Sequence, residues 1–157
     1  MKPAAVLLAL GLASGATAQA LLPTLAELDR LGREIAQQPF PRPIEVKTSL
    51  LPNPRKPGTP DEMRSTDCRG LRVAHFVSNE GAAPRVMPME LVLEQAHPRL
   101  DARLAPGAAE ATVREVLGAP TVVRGKALGY RLSGRDTLVF ELFEGRVRAV
   151  TWSWDVD

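Results

Sequence analysis

Hydrophobic positions recur with helical spacing in two parts of the chain. In the first part, Thr24 stands at a helix N-cap position and Glu27 at the reciprocal position of a capping box. The apolar positions that follow are Leu25, Leu28, Leu31 and Ile35. This spacing predicts an amphipathic N-terminal helix from about residue 25 to residue 37, within a segment 21–38, with one apolar stripe that needs a surface to cover it.

The second helical pattern is GAAEATVREVLGAP, residues 107–120. A proline and a glycine break the chain before it, and Glu110 lies in the first turn, where a carboxylate favours the positive end of the helix dipole. Val113, Val116 and Leu117 form the apolar stripe. Gly118 suits a left-handed exit, and Pro120 prevents continuation. We therefore predict a short helix over 109–117.

Alternating apolar and polar positions predict strands in the rest of the domain. Residues 71–78 and the run Met89–Leu93 are separated by turn-like residues 79–84, which indicates a hairpin. Residues 127–132, 136–143 and 146–154 have short turn signals between them and predict an antiparallel meander. The expected fold class is α+β: an antiparallel sheet of about four to six strands, with the 109–117 helix packed on one face, over residues 65–157.

Residues 39–64 are rich in proline, which fixes its own φ and pushes the preceding residue out of the helical region. The composition predicts a proline-rich linker or an extended strap lying over the surface. Short apolar stretches within it, such as Ile44–Val46 or Leu50–Leu51, could rest in a groove. Recognition of the prolines by a partner is the alternative.

The first 20 residues have the layout of a secretory signal peptide: a basic residue, an apolar run from Ala4 to Ala13, and small residues ending at Ala20. The run is too short to span a bilayer, which takes about 20 apolar residues. We expect an exported, periplasmic and soluble chain. The absence of a cysteine at the end of the signal argues against a lipoprotein.

Charge and side-chain chemistry narrow the function. Twenty basic and 18 acidic residues give a net charge of only +2, so nucleic acid is not an expected partner. The two histidines and one cysteine have no metal-ligand spacing, and we expect no metal and no cofactor. Cys68 has two interpretations: a small buried thiol, or a thiol that meets a second chain.

The last predicted strand carries the strongest binding candidate. Trp152 and Trp154 are two residues apart, so regular pleating points both to one face, with Arg148 and Val150 in the same row. A helix on one side of a sheet leaves the other side uncovered. If the tryptophans are on the uncovered side, they form a protein-binding surface. In the alternatives, they are core residues, or residues 21–62 fold back over them.

Ten positions carry a resemblance to a known family: Gly107, Val113, Leu117, Gly118, Pro120, Tyr130, Val139, Phe140, Gly145 and Val147. Over residues 104–152 this pattern resembles the SmpA/OmlA (BamE-like) family of small envelope proteins. That family shares its helix and sheet layout with beta-lactamase inhibitor protein. The resemblance implies a role in the cell envelope.

The function expected from the sequence is a secreted or periplasmic, non-enzymatic protein-interaction module. It would act as an accessory in envelope assembly, or as an inhibitor or immunity-type protein. Its partner would be an envelope protein, and the predicted binding residues are Tyr130, Arg148, Trp152 and Trp154. The alternatives are a thiol enzyme that uses Cys68 with His75 or His97, and a carrier of an apolar small ligand.

Overall fold

The computed structural model describes residues 22–40 and 42–156. They form one eight-stranded sheet, antiparallel at every pairing, and two helices. The predicted α+β class with an antiparallel sheet is confirmed at this level. The predicted signal peptide lies outside the described residues. The elements are α1 (Leu25–Ala36), β1 (Glu45–Leu51), β2 (Asp61–Cys68), β3 (Leu71–Ser78), β4 (Arg85–Leu93), α2 (Glu110–Leu117), β5 (Val122–Arg124), β6 (Ala127–Arg131), β7 (Thr137–Phe143) and β8 (Arg146–Ser153).

Two four-stranded meanders meet at the centre of the sheet. The spatial order is β1-β2-β3-β4-β8-β7-β6-β5, so β4 pairs with the last strand. The connection through α2 carries the chain from this centre to the far edge, where β5 begins. The edges differ in length, since β1 has seven residues and β5 has three.

The sheet has more strands than the sequence predicts, because β1 and part of β2 lie inside the predicted linker 39–64. That prediction is wrong for residues 45–51 and 61–64. The prolines of this region flank the strands and are absent from them, so the ladder keeps all its N–H donors.

Asn53 and Asp61 organise the proline-rich connection. The Asn53 amide donates to Asp61 (3.0 Å), and the Asn53 carbonyl oxygen accepts from two backbone N–H groups.

Both helices pack on the same face of the sheet. Leu28 and Ile35 of α1 and Val113 and Val116 of α2 belong to one buried cluster with the sheet's inner row. That row includes Val73, Leu91, Leu93, Leu128, Tyr130, Leu138, Phe140, Val150 and Trp152. The helix predicted over 109–117 is confirmed, with Gly118 at its exit in a positive-φ conformation (77°). Neither described helix is long and apolar enough to cross a membrane.

Candidate binding surfaces

The tryptophan row lies under α1. Trp152 is completely buried, and its indole N–H donates to the backbone carbonyl of Leu28 at 3.0 Å. Trp154 is almost completely buried, and its indole N–H donates to the Asp29 carboxylate at 2.7 Å. Gly32 allows the close approach, because a Cβ at this position would lie 2.6 Å from Cδ1 of Trp152. The helix is therefore fitted to the tryptophan it covers.

Arg33 connects α1 to the β6–β7 turn and to Trp154. Its guanidinium lies 5.3 Å from the Trp154 ring centroid, in cation–π geometry. The same group binds Asp29 on its own helix and Asp136 of the turn, the latter at 2.6 Å. Asp136 also accepts from the Ser133 hydroxyl and the Asp155 backbone N–H. These contacts hold the end of β8 to both neighbouring elements.

Tyr130 is also a core residue. Its ring packs edge-on against Phe140, with centroids 5.8 Å apart, and its hydroxyl donates to the backbone carbonyl of Gly118. Burial raises the pKa of this hydroxyl. The side chain fastens the exit of α2 to the sheet and contributes no exposed surface.

The predicted binding surface of Tyr130, Arg148, Trp152 and Trp154 is therefore wrong in its geometry. The three aromatic side chains are buried, and Arg148 alone is exposed. Arg148 is exposed because the pairing of β7 with β8 shifts by one residue at this point. Glu141 pairs with Ala149 and Leu142 with Val147, which leaves Arg148 as the extra residue of a β-bulge, outside the tryptophan row. The alternative in which residues 21–62 fold back over the tryptophans is met only by α1, since residues 45–51 and 61–62 are strands of the sheet itself.

No described helix lies on the face opposite α1 and α2, although Val92 and Ala149 on this face are buried. Its central row crosses five strands through directly paired residues: Val92, Thr151, Val139, Gly129 and Val122. A neighbouring row contains Glu90, Ser153, Thr137 and Arg131. Most of these side chains are small or branched, which makes the centre of this open face smooth. Ala149, Thr151 and Ser153 of β8 lie on this face.

A groove of about 350 Å³ lies on the open face over β5, β6 and β7. Gly129 and Val139 form part of its floor, and Arg124 and Arg131 lie on its rim. Both arginines are exposed, and neither forms an ion pair with another described residue. A glycine inside a strand often marks close approach by another chain. That signal was present in the sequence, but the short β5 that completes the groove was not recognisable.

Gly129 is not required by the fold. Its φ is outside the positive range, and a Cβ there would meet the Val122 carbonyl oxygen at 3.4 Å and the Val122 Cβ at 3.7 Å, which are ordinary contacts. An interior glycine costs about 0.5–1 kcal/mol relative to alanine. Because glycine has no side chain, Gly129 makes the groove deeper at this point.

A second groove, of about 610 Å³, lies on the helix-bearing face between the end of α1 and strands β1–β3. His75 and Arg64 contribute its polar lining, with Phe40 and Val46 beside them. The Nε2 of His75 lies 2.9 Å from the Ala36 carbonyl oxygen. A carbonyl oxygen only accepts, so Nε2 is the donor here. Burial lowers the pKa of this imidazole.

The described contacts bear on the thiol-enzyme alternative. Cys68 pairs with Leu71 at one end of the β2–β3 hairpin, and His75 pairs with Arg64 farther along it. Four residues of strand separate them by roughly 13 Å, which is beyond hydrogen-bond reach of a thiol and an imidazole. His97 accepts a hydrogen bond from the Arg99 backbone N–H through Nδ1. No group of three potential metal-ligating side chains occurs within residues 22–40 and 42–156.

The fold and its surfaces define an α+β protein with one sheet face under two helices and the other face open. In comparisons with known proteins, no family model, curated protein or solved structure matches the chain.

Proposed function

We propose that this chain is an exported, non-enzymatic protein-interaction module whose open sheet face binds an envelope protein. It acts as an accessory in envelope assembly or as an inhibitor or immunity-type protein. The observation that carries the proposal is the one-sided arrangement of the helices. Trp152 and Trp154 attach α1, Tyr130 attaches the exit of α2, and no described helix lies on the opposite face of the sheet.

The composition of the open face supports protein binding over small-ligand binding. Its central residues are small, so a partner can approach the backbone closely along the row that contains Thr151, Val139 and Gly129. The grooves described above are open to solvent, whereas a small-ligand carrier buries most of its ligand.

Charge favours an acidic patch on the partner. Arg124 and Arg131 border the Gly129 groove and make no ion pair among the described residues. Arginine is enriched in protein interfaces and binds carboxylates in bidentate geometry. An acidic segment lying over Gly129 would meet both guanidinium groups, while their present exposure means that no internal pair must be broken.

The test compares two double charge reversals in a pull-down from envelope extract, read by mass spectrometry. Arg124→Glu with Arg131→Glu changes the groove. Arg69→Glu with Arg85→Glu is the matched control, because these exposed arginines lie in the β2–β3 turn and at the start of β4, outside the strands that form the groove. We expect a partner that is captured by the wild type and the control and is lost by the groove variant, with all three unfolding at similar urea concentrations.

Two results would count against the proposal. Equal capture by all three proteins would show that the groove is not the binding surface. Absence of any specific partner, over a range of salt concentrations, would remove the support for an interaction module.

A further inference from the structure

We propose that the exposed edge of β1 pairs with the β1 edge of a second copy of this chain. The two strands would run antiparallel about a two-fold axis through Thr48, and the two sheets would join into one. This dimer is independent of the open face and of any envelope partner.

The β1 edge has apolar side chains that the described structure leaves uncovered. Ile44 precedes the strand and is 72% exposed, while Val46 and Leu50 within it are 53% and 68% exposed. On one side β1 pairs with β2, and on the other its backbone groups have no strand partner among the described residues. A long apolar edge of this kind is a template for pairing with another chain. The opposite edge, β5, is too short to serve in the same way.

The length of β1 fixes the register of self-pairing. Pro43 and Pro52 flank the strand and limit pairing on both sides, since proline lacks the N–H donor. When all seven residues of Glu45–Leu51 pair with their own copies in antiparallel orientation, Thr48 lies opposite itself. Each Val46 then lies opposite Leu50 of the second copy. The apolar side chains meet in two symmetric pairs, which is the favourable cross-strand arrangement.

The charges of β1 are compatible with the same register. Lys47 and Glu45 form an ion pair within one copy at 2.9 Å. In the proposed dimer, Glu45 faces Leu51 and Lys47 faces Ser49 of the second copy, so no like charges lie directly opposite each other. The strand is thus complementary to itself in apolar pattern, and each Lys47, which has the Lys47 of the second copy as a diagonal neighbour, keeps its ion pair with Glu45. The apolar match favours a second copy over an unrelated extended segment.

The interface is one strand wide, so it belongs to the small class of interfaces, below roughly 1,200 Å² of total buried surface. We therefore expect reversible dimers with a dissociation constant in the micromolar range. The experiment is sedimentation equilibrium of the chain without residues 1–20, at about 1–500 μM protein, with a reducing agent present so that Cys68 forms no cross-link.

Two double variants test whether the β1 edge or the β5 edge forms the dimer. Val46→Lys with Leu50→Lys places like charges opposite each other in the proposed dimer, and both positions are exposed in the single chain. Val122→Lys with Val123→Lys makes the same charge change on the β5 edge, where both residues are also exposed. We expect the average mass of the wild type and the β5 variant to approach twice the monomer mass. The β1 variant should stay monomeric with an unchanged unfolding midpoint.

A disulfide test checks the register. In a Cys68→Ser background, Thr48→Cys places two thiols opposite each other at the two-fold axis, within the Cα separation of about 4.4–6.8 Å that a disulfide allows. Ser49→Cys is the matched control, because its symmetry mate is displaced along the strand by two residues, or about 7 Å. Mild oxidation should cross-link the Thr48→Cys protein at least tenfold faster than the control.

Four results would contradict the proposed β1–β1 dimer. A wild type that stays monomeric at the highest concentration would overturn the proposal and leave this edge to an extended segment of another protein. Unchanged dimerisation of the β1 variant, equal loss in the β5 variant, or equal cross-linking of both cysteine variants would place the interface elsewhere.

Discussion

The Gly32→Ala substitution tests whether α1 covers Trp152. On intrinsic helix propensity alone, alanine should stabilise a helix interior by about 0.8–1.0 kcal/mol relative to glycine. The structure predicts the opposite sign. The added Cβ would lie 2.6 Å from Cδ1 and 2.7 Å from Nε1 of the buried indole, whereas carbon atoms in contact lie about 3.5–4.0 Å apart.

The magnitude follows from the shift that relieves this contact. Moving α1 outward by about 1 Å restores normal packing distances but lengthens the hydrogen bond from the Trp152 indole to the Leu28 carbonyl, now 3.0 Å. That bond contributes about 0.5–1.5 kcal/mol, and overpacking a core costs about 1–3 kcal/mol. After subtracting the propensity gain, we expect a net loss of about 2 kcal/mol. For a domain of this size the melting temperature should fall by about 7 °C.

The assay is urea unfolding followed by tryptophan fluorescence, because Trp152 and Trp154, the only tryptophans of the chain, both lie under α1. A second pair of proteins isolates the cause. In a Trp152→Leu background the indole is absent, so Gly32→Ala should be neutral or stabilising, and the double-mutant cycle should show strong coupling. If Gly32→Ala stabilises the otherwise unchanged protein, α1 does not pack on Trp152 as described.

Three further predictions concern buried polar groups. Because burial lowers the pKa of His75 below its ordinary 6.5, the unfolded chain binds more protons between the two values. The contribution of His75 to the free energy of unfolding is therefore fully present above pH 6.5 and is lost as the pH drops toward the lowered pKa. Urea midpoints measured at several pH values should decline less at low pH in His75→Gln than in the wild type. Asp136→Ala removes a mostly buried carboxylate that binds Arg33 and should cost about 2–3 kcal/mol by urea unfolding, while Asp136→Asn should recover part of it. Tyr130→Phe loses a hydrogen bond to a backbone carbonyl and should cost about 1 kcal/mol by the same assay.

Local signals were sufficient for much of the fold. The short helix ending at Gly118, the β3–β4 hairpin and the final meander all depend on turns and periodicity within a few residues, and the structure contains them. The β1 and β2 strands were missed because proline density was averaged over the whole 39–64 segment. The prolines lie beside the strands, and only their individual positions could have shown this.

The orientation of the tryptophan row could not be predicted from β8 alone. Which side of a strand faces the core depends on what covers it, and Trp152 is covered by a helix 124 residues earlier in the chain. The bulge at Arg148 adds a second difficulty, because one unpaired residue reverses the face assignment of every position beyond it. The apolar stripe of α1 and the tryptophan row were both visible in the sequence, but nothing local showed that each is the other's cover.

The proposed dimer has a consequence for the proposed binding function. A two-fold axis through Thr48, perpendicular to the joined sheets, places Val46 and the second copy's Leu50 on one face. Val46 lines the groove on the helix-bearing face, so the helices of both copies lie on the same side of the joined sheet. The two open faces then point in the same direction, each with its Gly129 groove. A partner that is itself dimeric or repeated could engage both grooves, and its apparent affinity would exceed that of a single groove by about 10²–10⁴-fold. The Val46→Lys, Leu50→Lys variant should therefore weaken capture of such a partner and leave binding of an isolated partner subunit unchanged, whereas the Arg124→Glu, Arg131→Glu variant should abolish both.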